Sequence, residues 1–269
     1  MSLIDAVILG IVQGLTEFFP VSSSGHLVLG GHLLGNHEPD VFFDVMLHVA
    51  TLCAVLFYYR RDLIPLAGGF FKGLSHSAKG NAADAWRDIP AFRFVSLLML
   101  ASIPTGIMGV LGKDFFESLF ASVTAVGGAL LFTTILVGST KFLKHDGTRP
   151  YTWWRSLVVG VAQGIAIIPG ISRSGSTIVT SLMLGVGREE AARFSFLLSV
   201  PAILGALLLK LRDVDLATVQ VAPIVVGFIA AAVSGLLALA GLVALLKKGS
   251  FWVFAPYTLL LAIYALVVL

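Results

Sequence analysis

Two stretches 150 residues apart hold the side chains whose types and spacing could do chemistry. In the second, Gly160 to Gly185 (GVAQGIAIIPGISRSGSTIVTSLMLG), Arg173 is the one formal charge in an otherwise apolar and small-residue run. A guanidinium at the centre of a membrane segment costs about 2.5–3.5 kcal/mol on an insertion scale, so it must face a polar cavity or a partner. In the first (GIVQGLTEFFPVSSSGHLVLGGHLLG, from Gly10) the single formal charge is Glu17, of opposite sign. Gly10, Gln13, Gly14, Ser22, Ser24, Gly25 and Gly35 fall on Gly160, Gln163, Gly164, Ser172, Ser174, Gly175 and Gly185, with Pro20 one residue out of register with Pro169. The arginine fork and the hydroxyls of Ser22, Ser23, Ser24, Ser172, Ser174, Ser176 and Thr177 suit phosphate oxygens. Glu17 and His26 supply a titratable pair for proton transfer or nucleophile activation, and Ser23 or His26 could itself attack. Residue types alone point to phosphoryl chemistry on a membrane-embedded anion.

These side chains need two interrupted helices to position them. Pro169-Gly170 and Gly175 bracket a turn of Ser172, Arg173 and Ser174, so the stretch is expected to form a half-helix, a serine turn and a second half-helix. The new helices are expected at Gly25-His26 and Gly175-Ser176, with free N–H groups and positive helix ends turned into a shared cavity. The Gly10-to-Gly14 and Gly160-to-Gly164 pairs are expected to pack helices closely. Asp44 and His48, four apart and so on one helix face, either support the site or satisfy each other. His32, His37, His76 and His145 show no metal-ligand spacing and belong to interfaces or loops.

With 57% hydrophobic and 12% charged residues and a mean hydropathy of +0.96, the 269-residue chain is not a soluble globule. It reads as an all-α polytopic membrane protein. Its net charge of +3 lies in short loops beside apolar runs, a topology signal rather than a nucleic-acid surface. The lone Cys53 is expected to be an inert packing residue, and the N-terminus lacks signal-peptide features. Spans are expected at about 42–59, 92–112, 121–139, 191–211, 221–246 and 251–269, with a long polar connection at 60–89. Each broken segment is thus followed by three spans, an odd number, so the second copy enters the membrane from the opposite side. One membrane domain, 1–269, is expected to consist of inverted repeats at about 1–140 and 150–269, with two re-entrant helix-turn-helix segments and about six transmembrane helices. Lysine and arginine place 60–89, 140–155 and 247–248 in the cytoplasm.

Gln13-Gly-Leu-Thr-Glu17, PVSSSGH at Pro20 to His26 and Pro169-Gly-Ile-Ser-Arg-Ser-Gly-Ser-Thr177 resemble the (E/Q)xxxE and PGxSRSxxT signatures of the undecaprenyl pyrophosphate phosphatase family, also called bacitracin-resistance proteins. The resemblance covers essentially the whole chain, including EEAARFSFLLSVP at Glu189 to Pro201. It implies a multi-pass hydrolase of the bacterial inner membrane. Such an enzyme removes the terminal phosphate of undecaprenyl diphosphate to recycle the peptidoglycan carrier and confers bacitracin resistance. It implies catalytic roles for Glu17, Ser23, His26 and Arg173, substrate contacts around Gln13, Ser22, Ser24, Gly25, Ser172, Ser174 and Thr177, and dependence on a divalent cation, magnesium or calcium, held with help from Glu17. Gln13 stands where many members carry glutamate, a choice the pattern permits. Ser23, His26 and a water activated by His26 are all admissible nucleophiles, and an oligomer is neither required nor excluded. The rival class is a transporter or flippase of a phosphate-bearing lipid or anion, because inverted repeats around a midplane site also build transporters. A structural scaffold would leave Glu17, His26 and Arg173 without a purpose.

Overall fold

Ser2 and Asp5 form a capping box that starts α1 (Leu3–Phe18). From there the computed structural model, which describes residues 1–35, 41–143, 147–212, 219–247 and 251–269, is helical throughout, with no strand among the described residues. The helices that follow are α2 (Ser23–Leu33), α3 (Val41–Tyr58), α4 (Arg60–Ala78), α5 (Ala82–Asp88), α6 (Pro90–Leu111), α7 (Lys113–Phe120) and α8 (Val123–Ser139). The second half holds α9 (Trp153–Ile165), α10 (Arg173–Met183), α11 (Arg188–Lys210), α12 (Val221–Lys247) and α13 (Ala255–Val267). His37, His145 and Lys248 lie outside the described residues.

Four helices, α6, α8, α11 and α12, are each long and apolar enough to cross a membrane. At 1.5 Å per residue the 18 residues of α3 rise about 27 Å before the chain turns by 82° into α4. The 13-residue α13 is apolar but shorter than these, so among the described residues four helices, or five if the bent α3–α4 pair is one span, have the length and composition of the roughly six spans expected. The surface is apolar where it meets lipid: Ile4, Ile8, Ile11 and Leu15 form one outward stripe of α1. Polar residues go inward instead, with Gln13, Glu17, Ser172, Ser174 and Thr177 all buried. This follows from the absence of water in the bilayer core, which leaves the protein interior as the place where polar groups find partners.

Three expectations need correction. The polar connection at 60–89 is helical: α4 and α5 lay Leu66, Gly73 and Ala85 inward and keep charges such as Arg87, Asp84 and Asp88 outside. Amphipathic spacing here resembled a loop because its charge density was high. Cys53 is exposed on α3 rather than packed inside, because the inner face of that helix is taken by Leu47, Ala50, Thr51, Leu52, Ala54 and Val55. The re-entrant helices begin at Ser23 and Arg173, two residues earlier than expected, because Ser22 and Ser172 act as N-caps and accept hydrogen bonds from the Gly25 and Gly175 amides.

Packing exchanges elements between the two halves. The first broken helix, α1, packs on α12, while its counterpart α9 packs on α6; α3 also meets α12, and α11 meets α6. Along the centre α3 contacts α11 and α8 contacts α13. The glycine pairs allow the close approaches. A Cβ on Gly14 would sit 2.6 Å from the Ala231 carbonyl oxygen and 2.6 Å from the Gly235 nitrogen, and one on Gly160 would strike the Ala101 backbone. Gly14→Ala is therefore expected to lower unfolding stability by about 1–3 kcal/mol in detergent melting experiments. Gly128→Ala, whose Cβ meets nothing within 4 Å, is expected to leave stability unchanged or slightly raised.

Candidate active site

Proline geometry ends α1. Phe19, preceding Pro20, is extended (φ −64°, ψ 146°), and Ser22 takes φ 66°, the one non-glycine residue with positive φ among the described residues. A left-handed serine costs on the order of 1–3 kcal/mol, and such strain concentrates at functional sites. The second break turns at Gly170 (φ 98°) and enters α10 through an extended Ser172. Thr133 of α8 holds it, donating to the Gly170 carbonyl (2.8 Å) and accepting from the Ser172 amide (3.0 Å). The two breaks interlock. A Cβ on Gly25 would lie 3.3 Å from Gly170 Cα, and one on Gly175 would lie 3.3 Å from Pro20 Cβ.

Glu17, at the end of α1, is where the two halves meet chemically. Its Oε1 pairs with Nη2 of Arg173, the first residue of α10. Its Oε2 accepts from Ser23 Oγ (2.6 Å) and Gln13 Nε2 (2.8 Å), and His48 Nε2 stands 3.5 Å away. Nη1 of Arg173 and Oε1 of Gln13 are buried without a hydrogen-bond partner, so half of the guanidinium fork remains to be used. Glu17 and Gln13 form a buried floor, while Ser23, Ser24, His26 and His48 are only half-buried and mark the open side. Because the caps consume the Gly25 and Gly175 amides, the N–H groups left to face a ligand are those of the first two residues of each helix, Ser23, Ser24, Arg173 and Ser174.

The expected residues divide by what their side chains do. Glu17, Ser23, Arg173 and Gln13 come together. Ser22 and Ser172 cap helices, with Ser24 and Ser174 each 3.3 Å from the capping oxygen of its own break, and Ser174 also donates to the Phe19 carbonyl (3.2 Å). Thr177 lies behind the site, fully buried and bonded to Ser195 and to the Arg173 carbonyl. His26 does not pair with Glu17. Its Nδ1 donates to the Ser22 carbonyl (2.7 Å) and its Nε2 meets the Tyr257 hydroxyl (2.8 Å). The histidine beside Glu17 is His48, whose Nδ1 donates to the Asp44 carbonyl (2.7 Å). The pairing of Asp44 and His48 on one face of an apolar span was the available signal for His48. Tyr257 had none, since an aromatic near the start of a span looks like an interface anchor.

The donor set does not fit a protein-held divalent cation. Among the described residues no three of His, Cys, Asp and Glu are grouped to hold a metal ion. Glu17 is the one carboxylate of the cluster, and its oxygens already serve an arginine, a serine and a glutamine. Calorimetric titration of Mg²⁺ into substrate-free protein is expected to show no saturable site; stoichiometric binding that disappears in Glu17→Gln would overturn this.

Comparison with known proteins identifies the family. Proteins named undecaprenyl-diphosphatase from Desulfatibacillum aliphaticivorans and Desulfosudis oleivorans are 45% and 44% identical to this chain; the first match spans 99% of both chains, the second 97% of this chain and 96% of the relative. A third, from Methanosphaera stadtmanae, is 39% identical over 99% of this chain and 98% of its own. The model of the family described as bacitracin resistance protein BacA matches residues 6–264, and the chain belongs to that family.

Proposed function

We infer that this multi-pass membrane protein is an undecaprenyl-diphosphatase, a hydrolase that removes the terminal phosphate of undecaprenyl diphosphate, returns the monophosphate carrier to peptidoglycan synthesis and so confers bacitracin resistance. The observation that carries this beyond resemblance is the meeting of Arg173 and Ser23 on one buried carboxylate, with half of the guanidinium unspent. In the cell membrane the prenyl chain would stay in lipid while the diphosphate enters from the open side. The exchange of packing partners between halves supports inverted repeats at about 1–140 and 150–269, each supplying one side of the site.

The terminal phosphate would bind the free Nη1 of Arg173 and the amides at the two helix starts. Drawing Arg173 toward phosphate frees Glu17 to act as base. The Ser23 hydroxyl, whose hydrogen already points at Glu17, then attacks phosphorus: an Oγ–P bond forms, the bridging P–O bond breaks with its electrons on prenyl phosphate, and the serine proton moves to Glu17. Water hydrolyses the phosphoserine, and Glu17 returns the proton to Oγ. No step uses a resident metal.

The purified chain is expected to release inorganic phosphate from undecaprenyl diphosphate in detergent, and a labelled phosphoryl group is expected on Ser23 after acid quench. A folded protein that binds the lipid and releases no phosphate would exclude the hydrolase and leave transport of the lipid headgroup.

A further inference from the structure

The chain turns by 82° at the end of α3 into the 19 residues of α4. A helix so bent runs almost at right angles to a span, along the membrane face to which lysine and arginine assign residues 60–89. The fold uses only part of its surface. Leu66 and Gly73 are buried, and Gly69 and Gly73 approach Ala91 and Phe92 at the start of α6. About a third of a turn round the helix, Ile64, Ala67, Phe71, Leu74 and Ala78 recur at spacings of three and four and form a second apolar stripe. Ile64 is 79% exposed and Phe71 67%, so this stripe is surface and not core. About a further third of a turn on lie Arg61, Lys72 and Lys79, all exposed. Nearby carboxylates are turned elsewhere: Asp84 and Asp88 bond Arg87 of α5, and Asp62 faces Arg193 of α11 at 3.6 Å.

We propose that α4 is a docking surface for anionic lipid in the cytoplasmic leaflet, with Ile64, Phe71 and Leu74 among the upper acyl carbons and Arg61, Lys72 and Lys79 on lipid phosphates. A helix lying in the bilayer interface meets three media, and the three faces of α4 answer them in order: protein core, acyl chains and headgroups. The stripe also continues the lipid-facing surface of α3. Arg60, on the stripe's side of the bend, donates to the Phe57 carbonyl (2.7 Å) and lays its guanidinium 4.3 Å from the centre of the exposed Phe57 ring. Its stem thus covers apolar surface while its head stays at the polar boundary. Cations without carboxylates beside them favour a headgroup of net negative charge over a zwitterion, whose own ammonium offsets the attraction. They also disfavour a second copy on the same stripe, since pairing two such faces brings like charges together.

The test uses the full chain in phosphatidylcholine nanodiscs, with Cys53→Ser removing the lone cysteine and Phe71→Cys carrying a bimane fluorophore. At equal low mole fraction, brominated phosphatidylglycerol is expected to quench the bimane about fivefold more effectively than brominated phosphatidylcholine, the scale of one cation at an anionic surface. The preference is expected to vanish in Arg61→Gln/Lys72→Gln/Lys79→Gln and at high salt, where exposed charges are screened. Equal quenching by the two lipids overturns the proposal, since the stripe would then be immersed without headgroup recognition. A preference that survives the triple variant overturns the assignment to these cations. Quenching by aqueous iodide in place of lipid marks a solvated face, and shielding from both marks a second copy or a protein partner; either result overturns it as well. No readout here involves phosphate release, so the outcome stands apart from the diphosphatase reading.

Discussion

Arg173→Ala is expected to reduce phosphate release by about 10³-fold or more, the scale for removing a preorganised donor from a developing charge. It is also expected to destabilise the protein, by about 3–5 kcal/mol, because Glu17 is left as an uncompensated buried carboxylate. The two effects separate in Glu17→Gln/Arg173→Gln, where no buried charge remains: melting should recover most of the lost stability while activity stays at background. Arg173→Lys is expected to behave much like the alanine variant in activity, since one ammonium cannot meet Glu17 through one nitrogen and phosphate through another. A lysine variant with near-native turnover would show that the fork is not used, and the assignment of Nη1 to phosphate would fall.

The second large effect is a non-additivity. Ser23→Ala and Glu17→Gln are each expected to lower kcat by about 10²–10⁴-fold, since one removes the attacking oxygen and the other the group that takes its proton. Because both act in one step, the double variant should be no slower than the worse single one, whatever the individual losses. Losses that multiply would place the two residues in separate steps and would end the serine–carboxylate mechanism. Ser24→Ala is the matched control. Its hydroxyl lies 3.3 Å from Ser22 rather than on Glu17, and its loss should cost far less.

Gly10, Gly14, Gly160 and Gly164 show how far a linear pattern reaches in this chain. Their spacing alone marks a helix face without Cβ atoms, and the structure fills each face with another helix. Which helix fills it is a different matter: α1 lies on α12 and α9 on α6, partners more than 200 and more than 40 residues apart that no local pattern names. The serine turns behave similarly. Ser22 and Ser172 were visible as polar residues in a break, but whether a hydroxyl faces a ligand or closes its own helix depends on one turn of backbone geometry. There Ser22 and Ser172 became caps and Ser23 was left facing Glu17.

The sequence by itself determined that the chain crosses a membrane several times, that two broken helices carry one unlike charge each, and that Glu17 and Arg173 need each other. Those conclusions follow from composition and from the cost of a lone charge in lipid, which depend on residue type and not on neighbours. Only the tertiary structure decided that His48 rather than His26 stands beside Glu17, that Thr177 is packed against Ser195, and that Tyr257 closes on His26 from 231 residues away. The physical reason is direction. A side chain's identity states what it could bond, but the bond it makes is fixed by which helix faces it across the core, and that is a property of packing between distant segments.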